Sequence, residues 1–272
     1  MAEVSEHRTQ LGGLEVFWRR ALPDAGAAPA LYVHGVPTSS DDWLPFLERT
    51  GGVALDLPGF GRSGKPAGFA YSIAGYDRFL ESFLNDAGLE RFSLVVHDWG
   101  AVALATAQRL PERLERLVLL GAVPLLPGYR WHGIGRVWRT PLAGELWMGL
   151  TTRFAFKRLS KRVNVTPGPL PPEMIDAAWS HFDHGTQRAI LKLYRSAPEA
   201  ALEAAGRGLG RITAPALVLW PEEDPFIGAQ FGPAYADALG GPAALELLER
   251  AGHWSWLDRP EVVDRVAGFL RG

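Results

Sequence analysis

Three side chains that could together carry out nucleophilic and acid–base chemistry lie close to short apolar runs. Asp98 follows FSLVVH, Asp224 comes shortly after PALVLWP, and His253 stands near the end of the chain. An aspartate can attack an electrophilic carbon, a histidine can take a proton from water, and a second carboxylate can orient the imidazole. This chemistry requires the three side chains to meet, although they are far apart in sequence.

Short apolar runs separated by helical patterning predict the sheet that would bring them together. Apolar runs that end in glycine, proline or aspartate are typical of strands covered on both faces. Their alternation with helical stretches indicates an α/β fold, a mostly parallel sheet with helices on both faces. Ligands of such sheets bind beyond the carboxyl ends of the strands. The predicted strands are 30–35, 52–59, 92–98, 114–122, 215–221 and 244–249, with 14–20 as an antiparallel edge strand, and the predicted helices are 71–87, 101–108, 229–239 and 260–270.

The alternation stops between about Val123 and Gly210, where the sequence shows no clear strand. The span contains the proline-rich TPGPLPPEM and two helical stretches, around Ala177 and Leu191. A helical insertion between two strands can lie over the sheet as a cap. We therefore expect a core formed by residues 1–123 and 210–272, and a helical cap domain formed by residues 124–209.

The stretch LVVHDWGA around Asp98 has the form of a nucleophile elbow, a sharp turn from strand to helix with small residues beside the nucleophile. Gly100 and Ala101 supply small residues, whereas Val96 is larger than usual at its position. A helix that begins near Ala101 places its partial positive charge behind the carboxylate and favours the ionised form. The alternative is that Asp98 only caps this helix, a role in which aspartate is common.

The sequence resembles the α/β-hydrolase fold family, in the branch with an aspartate nucleophile that includes epoxide hydrolases, haloalkane dehalogenases and fluoroacetate dehalogenases. The resemblance implies that Asp98 forms a covalent alkyl ester, that His253 activates water and that Asp224 orients His253. It also implies an oxyanion hole made by the backbone N–H groups of Val36 and Trp99, and neither a metal nor a cofactor. The matching segments are HGVPTSSDDW (34–43), DLPGFGRSGKP (56–66), HDWGA (97–101), LVLWPEEDPF (217–226) and GHW (252–254).

The leaving group separates the members of this branch, because an alkoxide needs a proton donor whereas a halide needs only N–H donors. Tyr194 in LKLYRSAPE resembles the ring-opening tyrosine of epoxide hydrolases, and Tyr129 is a second candidate. Trp99 could donate its indole N–H in either chemistry. We favour an epoxide hydrolase, with a haloalkane dehalogenase as the alternative and a small-ligand-binding protein of the same fold as the non-enzymatic one. A second halide donor would have to be one of the tryptophans Trp131, Trp138 and Trp147, because Val36 stands where many haloalkane dehalogenases have asparagine.

Composition narrows the partners and the compartment. The formal net charge of −2 predicts no nucleic-acid or membrane partner. The chain has no cysteine, which excludes disulfides and thiol catalysis, and its polar N-terminus predicts a cytoplasmic protein. The run FKRLSKR (156–162) is expected to be a solvated helix face. The expected partners are a small apolar electrophilic substrate and water, and the expected state is a monomer or homodimer.

Overall fold

The computed structural model describes residues 3–23 and 28–272, and within them an eight-stranded sheet forms the centre of the fold. The strand order is β1-β2-β4-β3-β5-β6-β7-β8, with every neighbour from β4 to β8 parallel. The predicted α/β fold with a mostly parallel sheet is therefore confirmed. The strands are β1 Ser5–Leu11, β2 Leu14–Ala21, β3 Ala30–Val33, β4 Gly52–Leu55, β5 Phe92–Asp98, β6 Leu114–Ala122, β7 Ala216–Pro221 and β8 Ala243–Leu248.

One expectation about the sheet edge is wrong. Strand β2 was expected to be the edge strand, but it lies between β1 and β4 and pairs antiparallel with both. The missed strand, SEHRTQL, is polar and mostly exposed, so it has none of the apolar alternation by which strands are recognised. Gly12 and Gly13, both with positive φ, form the two-residue turn between β1 and β2.

The two faces of the central strands bury separate apolar clusters. Along β5, Leu94 and Val96 belong to one cluster and Val95 belongs to the other, as the alternation of side chains in a strand requires. Helices α2, α3 and α10 cover the first face, and α1, α11 and α12 cover the second. The helices are α1 Leu44–Thr50, α2 Ile73–Asp86, α3 Ala103–Arg109, α4 Gly133–Arg139, α5 Ala143–Leu150, α6 Arg153–Leu159, α7 Pro172–Ser180, α8 His184–Ser196, α9 Glu199–Ala205, α10 Phe231–Ala238, α11 Ser255–Asp258 and α12 Glu261–Arg271.

Residues 123–215, which connect β6 to β7, contain helices α4 to α9 and are called the helical insertion below. Helix α8 is bound to the loop after β4, where the Thr186 hydroxyl donates to the Gly59 carbonyl over 2.9 Å. On another side, the Val163 carbonyl accepts a hydrogen bond of 2.7 Å from the backbone N–H of His253. These contacts place the insertion beside the carboxyl ends of the strands. The division into core and cap domains at residues 124 and 209 stays a prediction.

Candidate active site

Asp98 is the last residue of β5 and stands on a strained turn. Its backbone has φ 48° and ψ −121°, a conformation that residues other than glycine rarely adopt. The helix that follows was expected to begin near Ala101. Instead, a 3₁₀ turn over residues 99–102 comes first and α3 begins at Ala103. Val96, the large residue of the elbow, lies within β5 beside Val33 of β3 and is fully buried. The turn lifts the carboxylate clear of the strand end.

Two glycines allow the backbone to come close enough around this carboxylate. A Cβ on Gly100 would lie 2.1 Å from the Val33 carbonyl oxygen, so the turn over residues 99–102 could not approach β3 with a larger residue there. A Cβ on Gly35 would lie 2.5 Å from both Cβ and Oδ1 of Asp98. The elbow therefore depends on glycine at both positions.

The Asp98 carboxylate is buried and held by backbone donors. The Val36 N–H donates to Oδ1 over 2.8 Å, and the nearby Trp99 N–H also favours the ionised form by lowering the pKa. Burial raises the pKa of Asp98, and these two N–H groups and His253 counteract only part of that increase. The side chain caps no helix N–H, which argues against a purely structural capping role. The two N–H groups are those expected for the oxyanion hole, and here they bind the nucleophile itself.

His253 lies between the two aspartates. Its Nδ1 donates to Asp224 Oδ2 over 2.8 Å, and its Nε2 lies 3.8 Å from Asp98 Oδ2, too far for a direct hydrogen bond. The second oxygen of Asp224 accepts from the N–H groups of Phe226 and Ile227 at 2.8 and 3.2 Å, which fixes the carboxylate. Burial lowers the pKa of His253, but the carboxylates of Asp224, Asp98 and Asp42 outweigh it, so the net shift is upward.

The structure thus brings together the three residues that the sequence placed after separate strands. Among the three acids after β7, only Asp224 is buried and faces His253, whereas Glu222 and Glu223 are exposed. A buried carboxylate holding Nδ1–H leaves Nε2 free to take a proton from water. The arrangement can therefore support attack by Asp98 followed by hydrolysis of the resulting ester.

Two more buried histidines hold the backbone around the site. His34 donates from Nδ1 to the Gly35 carbonyl over 2.7 Å and accepts the Leu57 N–H at Nε2 over 2.9 Å. His97 donates from Nδ1 to the Leu120 carbonyl over 2.8 Å, and its ring lies 4.6 Å from that of His253. Burial lowers the pKa of both rings, so both are neutral near pH 7. Among the residues the structure describes, no group of three histidine, aspartate or glutamate side chains could hold a metal ion.

A cavity of about 110 Å³ opens onto Asp98 and His253, with a mostly apolar lining. Most of its walls come from the helical insertion, so the insertion sets its shape. The lining residues are Val36, Pro37, Asp98, His132, Ile134, Trp138, Trp147, Thr151, Phe156, Leu159, Ser160, Val163, Leu170, Phe182, Tyr194, Phe226, His253 and Trp254.

Of the two tyrosines expected to contact the leaving group, only Tyr194 lines this cavity. Its buried ring contacts that of Trp99, and burial together with Asp98 raises its pKa well above 10. Tyr129 packs against Trp131 and Phe231 and lies outside the lining, although the charge of Asp98 contributes to raising its pKa, so its role as a leaving-group contact stays a prediction. Sequence alone could not separate the two, because the direction of each ring depends on packing within the insertion.

The tryptophans near the site differ in whether their indole N–H groups already donate a hydrogen bond. Trp131 donates to the Ala197 carbonyl over 2.9 Å and stacks on Trp99 at 5.4 Å. Within the described residues, the indole N–H groups of Trp99 and Trp138 are buried with no acceptor in hydrogen-bond geometry. The rings of both contact Tyr194, with centroids 5.1 and 4.9 Å away, and the Trp99 N–H is near enough to lower the pKa of that hydroxyl slightly. Trp138 and Tyr194 line the cavity, whereas Trp99 is not part of the lining.

Asp42 is a buried acid near His253 that sequence reasoning did not single out. Its Oδ2 accepts from the Thr38 hydroxyl over 2.6 Å and from the Trp254 indole N–H over 3.4 Å. Trp254 in turn packs edge-on against the His253 ring at 4.7 Å. Burial raises the pKa of Asp42 to about 7. Because aspartates are mostly exposed, the sequence SSDDW gives no sign that the second of its two acids is buried.

The comparisons with known proteins agree with this fold. The model of the alpha/beta hydrolase fold family matches residues 29–260, so the chain belongs to that family. The haloalkane dehalogenases of Bradyrhizobium diazoefficiens and Mesorhizobium japonicum are 27% and 29% identical to it, covering 99% and 91% of this chain and 95% and 86% of their own lengths. The crystal structure of the haloalkane dehalogenase DbeA from Bradyrhizobium elkani matches with a TM-score of 0.84 at 25% identity, over 99% of this chain and 98% of that one.

The resemblance to the aspartate-nucleophile branch of this family is confirmed, and the chain is a hydrolase of this fold. These relatives favour the alternative that the sequence analysis placed second, a haloalkane dehalogenase, over an epoxide hydrolase. In the described part of the chain, no helix is long and apolar enough to cross a membrane. The cytoplasmic location stays a prediction.

Proposed function

We propose that this protein hydrolyses haloalkanes through a covalent ester on Asp98. An Asp98 oxygen attacks the carbon that bears the halogen, a C–O bond forms, and the halide leaves with the electron pair of the C–X bond. His253 Nε2 then takes a proton from a water whose oxygen attacks the Asp98 carboxyl carbon, and the N–H groups of Val36 and Trp99 stabilise the oxyanion. Collapse releases the alcohol, which takes the proton from His253. The new carboxyl group loses its proton to solvent.

The observation that carries the halide assignment is the unpaired indole N–H of Trp138, which lines the same cavity as Asp98. Buried N–H groups normally have an acceptor, so this N–H group is a candidate donor to an anion. Trp138 is one of the three tryptophans that the sequence suggested as second donor. Trp131 is excluded because its N–H already binds the Ala197 carbonyl. The haloalkane dehalogenases among the relatives support the same assignment.

A second candidate is an epoxide hydrolase, because the cavity-lining Tyr194 could donate a proton to the oxygen of an opening epoxide. The cavity of about 110 Å³ is well below the ~300 Å³ at which sites for drug-sized ligands begin. We therefore propose short-chain substrates for either reaction. A purely ligand-binding protein is disfavoured, because binding alone does not require the chain Asp98–His253–Asp224.

The test compares bromide release from 1-bromobutane with diol release from 1,2-epoxybutane, which has the same chain length, and from styrene oxide. The proposal expects bromide release to dominate. Trp138→Phe should slow it at least tenfold, a typical cost of one lost hydrogen bond to a charged group. Trp147→Phe tests the remaining candidate donor, because this half-buried tryptophan lines the same cavity, and it should have little effect if Trp138 is the donor. Dominant diol release that is lost in Tyr194→Phe would support the epoxide hydrolase instead.

The covalent step has its own test. His253→Gln should allow Asp98 to react while blocking hydrolysis, so mass spectrometry should find a butyl adduct on the peptide that contains Asp98. In a single turnover of the native protein in H₂¹⁸O, the label should enter Asp98 rather than the alcohol. No adduct and no turnover with any of the three substrates would favour the binding-protein alternative.

A further inference from the structure

Helices α5 and α6 form an exposed apolar surface that the proposed reaction does not explain. Among the described residues, most of the strongly exposed large apolar side chains lie between residues 142 and 159. Leu146 and Leu150, 63% and 68% exposed, stand one helical turn apart on α5 and therefore share a face. We call residues 142–162 the α5–α6 surface. Its exposed large apolar residues are Leu142, Leu146, Leu150, Phe154 and Leu159.

The same surface is strongly basic. Residues 142–162 contain five bases and one acid, a net charge of +4 in a chain whose total is −2. The acid Glu145 is paired with Arg195, and Arg153 is paired with Asp176. In the described part of the chain, the other four bases have no carboxylate partner. These exposed bases are Lys157, Arg158, Lys161 and Arg162.

A groove on this surface leads toward the active-site cavity. It has a volume of about 500 Å³, and its walls include the exposed Leu146 and Leu150 as well as Arg158 and Arg162. Three residues line both the groove and the cavity above Asp98: Trp147, Thr151 and Leu159. The exposed apolar surface is thus continuous with the entrance to the site.

We infer that the α5–α6 surface docks on an anionic lipid bilayer and receives apolar substrate from it. Leucine and phenylalanine beside unpaired lysine and arginine are the composition with which helices lie in the interface of anionic membranes. A solvated helix face, expected for residues 156–162, explains the charges but not the exposed leucines. A second copy of the chain is a poorer occupant, because a two-fold contact would bring two surfaces of +4 together. The net charge of the whole chain, −2, gave no reason to expect a membrane partner, because it does not show this local excess of positive charge.

The test is co-sedimentation of the full chain with vesicles of phosphatidylglycerol and, separately, of phosphatidylcholine. We expect binding to the anionic vesicles that weakens as salt is added, and little binding to the zwitterionic ones. Lys157→Glu/Lys161→Glu should lower the partition coefficient at least tenfold, since each base near an anionic surface contributes about 1 kcal/mol. Leu146→Ser/Leu150→Ser should lower it as well. Lys157 and Lys161 line neither the groove nor the cavity, so bromide release from dissolved 1-bromobutane should be unchanged in their double variant.

Two control variants carry equivalent changes elsewhere. Arg207→Glu/Arg211→Glu reverses two exposed charges before β7, and Leu245→Ser/Leu247→Ser changes two leucines of β8 that are 39% and 40% exposed. Loss of binding in the controls to the same extent as in the α5–α6 variants would overturn the proposal, as would no binding of the native chain to anionic vesicles. A change from dimer to monomer in Leu146→Ser/Leu150→Ser, seen by sedimentation velocity without lipid, would assign the surface to a second copy. Lipid binding is measured without substrate, so it can fail independently of the proposed reaction.

Discussion

Replacing the buried acid Asp42 with asparagine should remove much of the pH dependence of stability. Burial raises the pKa of Asp42 from 3.8 to about 7 in the folded protein. Between these pH values the unfolded chain ionises this carboxyl group, whereas the native protein keeps it protonated. The free energy of unfolding therefore falls as pH rises, by about 1.4 kcal/mol per pH unit and about 4 kcal/mol in all. Asp42→Asn stays neutral at every pH and keeps an oxygen that can accept from Thr38.

The assay is equilibrium unfolding by urea at pH 5, 6, 7 and 8 for the native chain and Asp42→Asn. Other groups titrate in this range, so the informative quantity is the difference between the two free energies of unfolding at each pH. We expect Asp42→Asn to gain stability relative to the native chain as pH rises, and the gain to level off above about pH 7. A difference that stays constant from pH 5 to pH 8 would refute a raised pKa at this carboxyl group.

Asp41→Asn is the matched control, because the adjacent aspartate has the opposite shift. Burial raises the pKa of Asp41, but hydrogen bonds from Arg62 and the charge of Arg19, 2.7 Å away, outweigh it and lower the pKa below 3.8. A carboxyl group of this kind stabilises the fold above pH 3.8, and the contribution is lost as pH falls through the lowered value. Asp41→Asn should therefore be less stable than the native chain by the same amount across pH 5–8.

Three further predictions concern the site and its supports. Gly35→Ala should reduce kcat/KM for the preferred substrate at least a hundredfold, because the Cβ of the alanine would lie 2.5 Å from Asp98. A near-native circular dichroism spectrum would show that the loss of activity comes from a local change at the site. In the substrate-free protein, the imidazole of His253, followed by NMR of its ring protons, should titrate with a midpoint above 6.5, because the neighbouring carboxylates outweigh the effect of burial and raise its pKa; an equal or lower midpoint would contradict this. Trp131→Phe should lower the free energy of unfolding by about 1 kcal/mol, because the hydrogen bond to the Ala197 carbonyl is lost. Urea unfolding measures this change, and an unchanged free energy would show that water replaces the lost donor.

The sequence was sufficient to predict strands β3 to β7 because they are largely buried on both faces; β8 was recognised from its leucines although most of its residues are half-buried or exposed. Every residue of β5 and β7 is buried; β7 is an uninterrupted apolar run, and β5 contains the apolar run Leu94–Val96. Strand β1 has the opposite environment, since only one neighbour pairs with it and its residues are polar. The predicted strand 52–59 is shorter in the structure and ends at Leu55; the Asp56 N–H still donates to the Phe17 carbonyl of β2 over 2.9 Å, and the Asp56 carboxylate accepts the N–H groups of Ser40 and Arg62 in the loop that follows. Apart from β8, burial thus determines which strands could be recognised.

The residues after the strands were located by topology alone, since parallel strands bring Asp98, Asp224 and His253 to one edge whatever the side chains between them. The positions of side chains in the insertion could not be predicted from topology, because a helix can turn a given side chain toward the cavity or away from it. Tyr129 was expected near the leaving group and packs on Phe231, whereas Trp138 was only one of three candidates and lines the cavity. Asp42 was missed for a related reason, because only the folded chain shows its burial.

The leaving group, halide or alkoxide, can be identified because the two candidate donors differ: the Tyr194 hydroxyl can transfer a proton, whereas the Trp138 indole can only donate a hydrogen bond. The raised pKa of Tyr194 keeps its hydroxyl protonated at any pH of an assay, so it can donate a hydrogen bond to a halide as well as to an alkoxide. Loss of activity in Tyr194→Phe is therefore expected for both reactions. The indole N–H of Trp138 can stabilise an anion but cannot transfer a proton. A large effect of Trp138→Phe on bromide release with little effect on epoxide opening is thus the result that identifies a halide site.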